Sequence, residues 1–373
     1  MAQFAATKPR PSATQALPPI RVMICDDSAV IRAVLCRVLA HDTDIVVVAR
    51  AANGQQALDQ LRASPGLADI LILDIEMPEM DGLTALPLLL QAAPRLRIII
   101  ASTLSTHGAS TTLEAMRLGA HDYVPKPTAT VVSGDASFQR ELLVKIHALA
   151  LRFTAPPGAS ASPLALRTTP IRSPILLAIG SSTGGPQALA AFLQALKTTL
   201  GQGGLTHPVV LTQHMPAAFT PLLAGQLTRL GGFPCIEAKH GAPLVPGHIH
   251  IAPGGRHLLI HRHACSGGAT LVSSLDDGPP ENFCRPSVDP MLRSAASACH
   301  GKVLMIMLTG MGHDGLEGTR TLVQAGGAAL AQDEASSVVW GMPGAVARAG
   351  LCHALLPIQG LAERTARILQ GAP

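Results

Sequence analysis

"SPILLAIGSSTGGPQAL", residues 173–189, places an apolar run directly before a glycine-rich turn, and the turn directly before a run with a helical pattern. This strand–turn–helix order is the building block of α/β folds. Glycines let the backbone bend sharply between the two elements, and Pro186 suits the first turn of a helix. Because the same alternation returns along most of the chain, we predict an α/β protein built on doubly wound, mainly parallel sheets.

The alternation falls into two blocks, and at 373 residues the chain is longer than one ordinary core supports. Residues 20–152 contain five predicted strand and helix pairs, and residues 174–373 resume the pattern. Between them, residues 153–173 are rich in proline and small side chains, so we predict a linker there. Residues 1–19 show no periodicity and are predicted to be a flexible tail. The sequence therefore predicts two α/β domains.

The composition excludes several classes of function. Apolar residues make up 47% of the chain and charged residues 14%, and the net charge of +4 is small and dispersed. We therefore expect neither a nucleic-acid surface nor insertion into a membrane. The seven cysteines form no CxxC pair, which favours reduced thiols over disulfides or zinc. Since the first residues also lack the apolar core of a signal peptide, we expect a soluble cytoplasmic protein.

Acidic residues follow two predicted strands of the first block. Asp26 and Asp27 come after the first strand and Asp74 ends the third, so all three lie at one edge of a parallel sheet. Oxygen ligands gathered there suit Mg²⁺. Ser102 ends the fourth strand and Lys126 follows the fifth, which adds a hydroxyl and an ammonium group. Each residue alone could be solvated or ion-paired, but the five together indicate phosphoryl chemistry.

Residues 20–152 resemble the response-regulator receiver family. The matching segments are "CDDS" at 25–28, "LDIEMPEMDGL" at 73–83, Ser102 and "KP" at 126–127. The resemblance implies a flavodoxin-like receiver in which Asp74 accepts phosphate from a histidine kinase. It also implies that Asp26, Asp27 and Asp74 hold Mg²⁺.

The resemblance extends to the residues that report phosphorylation. Lys126 would contact the phosphate, with a cis bond to Pro127. Ser102 would respond to phosphate by hydrogen bonding. Tyr123, the only tyrosine of the chain, occupies the position of a large aromatic on the fifth strand. It could rotate together with Ser102, or it could simply pack.

The turn that opens the second block fits the G-x-S-x-G spacing, with Ser182 at the centre of "GSSTG" at 180–184. A serine on such a turn is exposed, and the helix that follows favours developing negative charge. Ser181 and Thr183 compete for the nucleophile role, and the central position favours Ser182. The pattern alone is weak, because a glycine-rich turn could also cradle a phosphate or only reverse the chain.

Two further residues raise the specificity of this pattern. His214 follows the strand "PVVLTQ", and Asp314 follows the strand "VLMIML". Serine, histidine and aspartate at the carboxyl ends of their strands can meet at one edge, as nucleophilic catalysis requires. His313 competes for the base and Asp289 for the acid, although Asp289 stands at a predicted helix start, where capping is its ordinary use.

Other histidines are weaker candidates. Two precede their strands and would lie at the opposite edge, and two H-x-H pairs could suggest a metal but lack acidic or cysteine ligands at matching spacing. These residues are His207 and His300, and the pairs His248/His250 and His261/His263.

The second block resembles the catalytic domain of the chemotaxis protein-glutamate methylesterase family. The resemblance covers residues 174–370 and rests on "IGSSTGGPQAL", "TQHMPAAFT", "IAPGGRHL", "RPSVDPML", "LTGMGHDGLEG" and "WGMPGAV". It implies a Rossmann-like α/β domain that hydrolyses glutamyl methyl esters on methyl-accepting chemotaxis receptors and deamidates receptor glutamines. His313 and the histidines of "HIHIAP" depart from the family pattern.

The resemblance also assigns residue roles. Ser182 would be the nucleophile, His214 the general base and then acid, and Asp314 the residue that orients His214. The Met311 backbone amide would donate to the oxyanion, and Thr183 and Gly184 would supply further donors or position the ester.

Together these observations predict a hydrolase gated by phosphorylation. The unphosphorylated first block would cover the edge that carries Ser182, and phosphorylation of Asp74 would uncover it. Two alternatives are a regulatory binding module with vestigial loops and a hydrolase of small esters. The intact trio Ser182, His214 and Asp314 counts against the first, and only methylated receptor as substrate separates the second.

Overall fold

The computed structural model describes residues 18–103, 105–126, 136–154, 164–265 and 268–371. These residues form two α/β units, one around a five-stranded sheet and one around a seven-stranded sheet, with a two-stranded sheet beside the second. The predicted α/β class is therefore confirmed. Within the described ranges, no helix has both the length and the apolar character needed to cross a bilayer.

The first unit is a parallel sheet in the order β2-β1-β3-β4-β5, as in flavodoxin-like folds. The strands are β1 (Ile20–Cys25), β2 (Ile45–Ala51), β3 (Ile70–Asp74), β4 (Arg97–Ser102) and β5 (Asp122–Pro125). The helices are α1 (Ala29–Leu39), α2 (Gly54–Ala63), α3 (Gly82–Ala92), α4 (Thr106–Arg117) and α5 (Ala136–Thr154).

The first four helices of this unit begin at polar side chains that cap them. Ser28, Asn53, Asp81 and Ser105 each accept a hydrogen bond from a backbone N–H in the first turn of the helix that follows. Such caps satisfy amides that have no partner inside a helix. They fix where each loop ends, and so they fix the loops that carry the acidic residues.

The second unit is a parallel sheet in the order β14-β13-β12-β6-β7-β9-β8. Its strands are β6 (Leu176–Ser181), β7 (Val209–Gln213), β8 (Cys235–Glu237), β9 (Ile249–Ile251), β12 (Val303–Met307), β13 (Ala328–Gln332) and β14 (Ala354–Leu356). Its helices are α6 (Gly185–Leu200), α7 (Thr220–Gly231), α8 (Val288–Ala298), α9 (Leu316–Gln324), α10 (Met342–Arg348) and α11 (Ile358–Leu369).

The antiparallel pairing of two strands in this unit is not among the sequence-based predictions. β10 (His257–Cys265) and β11 (Gly268–Asp276) pair as an antiparallel hairpin outside the main sheet. Ile260 and Leu258 of β10 are buried against the core that includes α8. The hairpin thus packs against α8 through β10.

Both sheets are covered on both faces. All residues of β3 and of β12 are buried, which is the pattern of a parallel strand between two helical layers. One continuous cluster of buried apolar residues joins the two units and includes Tyr123 from the first and Phe219 from the second. The carboxyl ends of the strands in the two sheets are where the candidate sites lie.

The predicted linker, 153–173, is only partly linker-like. α5 continues to Thr154, and the segment from 164 to 173 lies on the second unit. There Ile171 packs against the core, and the Arg167 backbone N–H donates to the Cys352 carbonyl at 2.8 Å. Short apolar residues between the prolines hold this half of the segment in place, although they are too few to form an element. The domain limits at 152 and 174 stay predictions.

Candidate active site and phosphoacceptor site

The turn between β6 and α6 holds Ser182 at the carboxyl edge of the second sheet. Gly184 adopts φ 74°, a left-handed conformation that favours glycine. The loop after β12 approaches the same turn, because the Ser182 N–H donates to the Thr309 carbonyl at 3.0 Å. A Cβ on Gly310 would lie 3.0 Å from the Ser182 Cβ. The serine is therefore enclosed between two glycine-containing loops.

The three hydroxyls of the turn point to different surroundings. The Ser181 hydroxyl is buried and donates to Gln213 Oε1 at 2.7 Å. The Thr183 hydroxyl is also buried and donates to Asp122 Oδ2 of the first unit. The Ser182 hydroxyl makes no hydrogen bond with any described residue and is half-buried. Of the three, Ser182 is the hydroxyl that a substrate can reach.

His214 follows β7 and lies beside this turn. Its backbone N–H donates to the Ser181 carbonyl at 3.2 Å, because β6 and β7 are neighbours in the sheet. Its Nε2 lies 2.6 Å from Asp314 Oδ2, and its Nδ1 lies 3.4 Å from Cys284 Sγ. The structure thus brings the loops of Ser182, His214 and Asp314 together at one edge.

The electrostatics of the His214–Asp314 pair follow from burial and hydrogen bonding. Burial disfavours the charged imidazole, but the bond to Asp314 and the contact with Cys284 outweigh burial and raise the pKa of His214 to about 10. Burial would also raise the pKa of Asp314, yet the hydrogen bonds that it accepts hold that pKa well below its usual range. Asp314 is therefore a lasting anion that favours a proton on His214 Nε2.

Asp314 is held by a dense set of donors. Its carboxylate accepts the Ser287 hydroxyl at 2.6 Å and the Val288 amide at 2.6 Å. The Gly315 amide and the Asn282 side-chain amide each donate to Oδ1 at 2.9 Å. These partners leave the carboxylate one orientation, with Oδ2 toward His214.

Three backbone amides near Ser182 are available to an oxyanion. Within the described chain, the N–H groups of Thr183, Gly184 and Met311 donate no hydrogen bond. Thr183 and Gly184 precede the first turn of α6, where the helix dipole favours negative charge. Met311 follows Gly310, the residue packed against Ser182. These amides are suited to hold negative charge that develops beside Ser182.

The competing candidates lie elsewhere or serve other bonds. His313 is exposed. Asp289 accepts the Gly318 amide and the Asn282 side chain, and it belongs to the first turn of α8. His250 Nε2 accepts the Val245 amide, which occupies the ring nitrogen that a metal would need. Within the described residues, no group of three metal-ligating side chains includes a histidine.

The acidic cluster of the first unit lies at the carboxyl edge of its sheet. Carboxylate oxygens of Asp26, Asp27 and Asp74 all lie within 4.8 Å of one another. Lys126 Nζ lies 2.7 Å from Asp74 Oδ1. The second oxygens of Asp26 and Asp74 are buried and have no partner. Burial and the neighbouring Asp74 charge raise the pKa of Asp26 to about 6. Unpaired buried carboxylate oxygens are the donor set that a divalent cation would satisfy.

The remaining predicted residues of this site have separate partners. The Ser102 hydroxyl donates to the Gly108 carbonyl at 3.1 Å, toward α4. Tyr123 is buried, with its ring stacked on Phe219 at 4.8 Å between centroids and Lys145 Nζ 4.7 Å from its centroid. Tyr123 therefore packs between the two units. Pro127, and with it the predicted cis bond, lies outside the described residues.

The first unit contacts the second unit at the turn that carries Ser182. Asp122 accepts the Thr183 hydroxyl, and Lys145 Nζ lies 3.4 Å from the other Asp122 oxygen. Gln187 Nε2 donates to the Met116 carbonyl at 2.6 Å and also to the Ala120 carbonyl. The turn that carries Ser182 is thus bordered by α4 and β5 of the first unit.

Several residues of the site carry no signal that sequence reasoning can find. Asn282, Cys284 and Ser287 stand on the irregular loop before α8, and they reach His214 or Asp314 only through the folded chain. Gln213 supports both Ser181 and the Ser182 carbonyl, and its place as the last residue of β7 was the only available hint.

Comparisons with known proteins give consistent matches over both units. The model of the CheB methylesterase family matches residues 177–365, and that of the response regulator receiver domain matches residues 22–132. The protein-glutamate methylesterase/protein-glutamine glutaminase of Azospirillum brasilense is 50% identical over 367 residues, which cover 91% of this chain and 90% of that protein.

A second relative gives the same match, and one solved structure is similar to part of the chain. The protein-glutamate methylesterase/protein-glutamine glutaminase of the group 2 operon of Rhodospirillum centenum is 48% identical over 373 residues, covering 91% of this chain and 92% of that protein. The crystal structure of the Thermotoga maritima CheB methylesterase catalytic domain is 34% identical and covers 53% of this chain and 100% of that one, with a TM-score of 0.48.

Proposed function

Because the chain belongs to the CheB methylesterase family and carries a response regulator receiver domain, we propose that Ser182, His214 and Asp314 are its catalytic residues. The chain is a protein-glutamate methylesterase and protein-glutamine glutaminase whose receiver makes it a phosphorylation-regulated enzyme of chemotaxis adaptation. The single observation that carries the residue assignment is the 2.6 Å contact between His214 Nε2 and Asp314 Oδ2 beside the accessible Ser182 hydroxyl.

The proposed chemistry follows from which ring nitrogen is engaged. With Nε2 bonded to Asp314, Nδ1 would accept the proton of Ser182 in exchange for its 3.4 Å contact with the Cys284 thiol. Ser182 Oγ attacks the ester carbon, and His214 then protonates the departing methoxide, which leaves as methanol. Water, deprotonated by His214, hydrolyses the acyl-enzyme and restores Ser182. With a glutamine substrate the leaving group is ammonia, and the acyl-enzyme is the same.

The tetrahedral intermediates carry negative charge on the former carbonyl oxygen. The unpaired amides of Met311, Thr183 and Gly184 would donate to that oxygen. Since donors in a backbone do not reorganise during the reaction, they stabilise the transition state more than the ground state.

The receiver is proposed to accept phosphate on Asp74 from a histidine kinase. Asp26, Asp27 and Asp74 would hold Mg²⁺, which neutralises charge on the transferred phosphoryl group when it is bound. Lys126, already paired with Asp74, would then pair with the phosphate. Ser102 and Tyr123 would relay phosphorylation to α4 and to the contact with Phe219.

Regulation is proposed to act by covering the catalytic edge. In this structure Asp122 and the carbonyls of α4 and its end bind the turn of Ser182 through Thr183 and Gln187. A receptor helix would have to approach the same turn. Phosphorylation would shift the population toward an arrangement in which the receiver leaves this edge. The substrates are proposed to be methyl-accepting chemotaxis receptors, and the compartment is proposed to be the cytoplasm.

The experiment that tests the assignment measures methanol released from methylated receptor by the phosphorylated chain and by its Ser182→Ala variant. We expect the variant to lose roughly 10⁴- to 10⁶-fold in kcat. Ser181→Ala is the matched control, because its hydroxyl is turned away from the substrate toward Gln213. Retained activity in Ser182→Ala would reject Ser182 as the nucleophile. Turnover of small esters without turnover of methylated receptor would favour a small-ester hydrolase.

A further inference from the structure

Two consecutive residues of the loop before α8 adopt a conformation that side chains rarely take. Asn282 has φ 53° and Phe283 has φ 64°, both in the left-handed region. For residues other than glycine this region costs free energy, and for a bulky aromatic it is unusual. A strained pair persists only where surrounding contacts hold it.

The strained turn directs its neighbours to the catalytic residues. Asn282 Nδ2 donates to Asp314 Oδ1 and to Asp289 Oδ2, each at 2.9 Å. Cys284 Sγ lies 3.4 Å from His214 Nδ1. Phe283 stands between these two inward-pointing residues. Since adjacent Cα atoms are about 3.8 Å apart, its ring is on the order of 10 Å from the reacting atoms.

The side chain of Phe283 has no structural task of its own in the described chain. It is 89% exposed, the highest value among the exposed large apolar residues. Its one aromatic or cationic partner is Arg140 of α5, whose guanidinium carbon lies 5.6 Å from the ring centroid. That contact leaves nearly all of the ring in water, so neither packing nor the contact between units explains a phenyl group here.

We propose that Phe283 is the residue of the catalytic domain that binds the receptor helix carrying the methyl ester. This proposal rests on the proposed function and deepens it. A helix is about 10–12 Å across, so one that places an ester at Ser182 must also pass over the rim of the site. Phe283 is 89% exposed, and its neighbours Asn282 and Cys284 contact Asp314 and His214.

The residue spacing of a helix predicts where the bound receptor segment needs an apolar side chain. Residues three or four positions from the ester share its helix face at about 5–6 Å, and a residue seven positions away lies about 10 Å along the axis. An apolar side chain at one of these spacings would meet the Phe283 ring. The specificity is therefore for a glutamyl methyl ester with apolar residues on the same face of its helix.

The test uses the full chain with acetyl phosphate and Mg²⁺, and three esters as probes. Two are helical peptides with one glutamyl methyl ester, carrying leucine or alanine four residues to either side of it. The third is N-acetyl-glutamate γ-methyl ester amide. For Phe283→Ala we expect about a tenfold rise in KM on the leucine peptide with unchanged kcat, and no change on the other two. Phe283→Leu should restore most of the loss.

Two further variants separate docking from structural effects. Ile236→Ala removes an apolar side chain that is 45% exposed on β8, and it should leave KM and kcat unchanged for all three esters. Phe283→Gly tolerates the left-handed φ, so its melting temperature should exceed that of Phe283→Ala, yet it should show the same rise in KM.

The outcomes distinguish the docking role from the esterase function. If Phe283→Ala lowered kcat/KM equally for all three esters, the residue would only support the catalytic loop, and the proposal would be overturned. An unchanged KM on the leucine peptide would also overturn it. If the wild-type chain released methanol from none of the peptides and from no methylated receptor, the esterase function itself would fail, and the docking role with it.

Discussion

Asp314 shows how a buried charge is kept at a single position. Its side chain is 2% exposed, which by itself would favour the neutral acid. Donors from Ser287, Val288 and Gly315 surround it instead, and His214 Nε2 completes the set. The carboxylate thus stays ionised and fixes both the tautomer and the orientation of the imidazole. Removing the charge while keeping the shape should separate these effects.

Asp314→Asn should lower the pKa of His214 and reduce the rate. In the folded wild type, the pKa of His214 lies above its ordinary value, so the free base and the esterase activity appear as pH rises through that raised pKa. Without the negative charge at 314, burial dominates and the midpoint moves to lower pH. We also expect kcat to fall by about 10³- to 10⁴-fold, because the amide no longer selects the reactive tautomer.

The measurement is the pH–rate profile for methanol release, together with NMR titration of His214 in both forms. The same linkage predicts a stability effect. In the wild type the raised pKa contributes stability below the unfolded pKa of about 6.5, and this contribution is lost as pH rises through the folded pKa. In Asp314→Asn that pH dependence should vanish. An unchanged midpoint in both measurements would show that Asp314 does not control His214.

At the scale of elements, the site is built where two strand-to-helix turns pack against each other. The turn from β6 to α6 carries Ser182, and the loop after β12 carries Gly310, Met311 and Asp314. The two loops approach so closely that a Cβ at Gly310 would lie 3.0 Å from the Ser182 Cβ and 3.1 Å from the Ser182 N, and it would also collide with Met342 Sδ at the start of α10. Glycine is thus required here by the distance between two loops, since Gly310 has no positive φ.

Gly310→Ala should push the two loops apart and impair the esterase more than the fold. We expect kcat for methylated receptor to fall by about 10²-fold, because the Met311 amide, the proposed oxyanion donor, would move, and the free energy of unfolding to fall by about 1–3 kcal/mol. Gly225→Ala is the matched control, since a Cβ there meets nothing within 4 Å on α7. In that control the free energy of unfolding should rise by about 0.5–1 kcal/mol, and the esterase activity should be unchanged. Thermal unfolding and methanol release measure both effects, and an active Gly310→Ala would contradict the tight contact.

At the scale of the whole molecule, the receiver and the catalytic unit share one buried apolar cluster and a set of polar contacts. The ring of Tyr123 stacks on Phe219, and Lys145 sits above it. Asp122 joins the receiver to Thr183, next to Ser182, the proposed nucleophile. A receiver that binds the catalytic turn so directly can regulate it simply by staying or leaving, with no change in the chemistry of the site.

Gln187→Ala should weaken this contact without touching the catalytic residues. Gln187 Nε2 donates to two receiver carbonyls, and each lost hydrogen bond is worth about 1 kcal/mol. We therefore expect the unphosphorylated rate of methanol release to rise by about five- to thirtyfold, while the phosphorylated rate stays near that of the wild type. Gln194→Ala, an exposed residue of the same helix, should change neither rate. Equal basal rates in both variants would contradict occlusion by the receiver.

Much of the fold, and the candidate catalytic and acidic residues, could be predicted from local sequence patterns. The sheets, helix 288–298 and strand 328–332 could be predicted because buried strands and amphipathic helices have characteristic periods. Ser182, His214 and Asp314 could be proposed because each follows its own parallel strand, and such strand ends share one edge. The same reasoning indicated the cluster of Asp26, Asp27 and Asp74.

Only the tertiary structure shows which side chains hydrogen-bond to the site residues and which parts of the receiver pack over them. Ser181 bonds to Gln213, 32 positions away, and Thr183 to Asp122, 61 positions away. Asn282, Phe283 and Cys284 lie on a loop that has no hydrophobic periodicity. The pairing of β10 with β11 could not be predicted from local sequence either. Such contacts depend on the packing of distant segments, and periodicity along the chain records only which face of one element is buried.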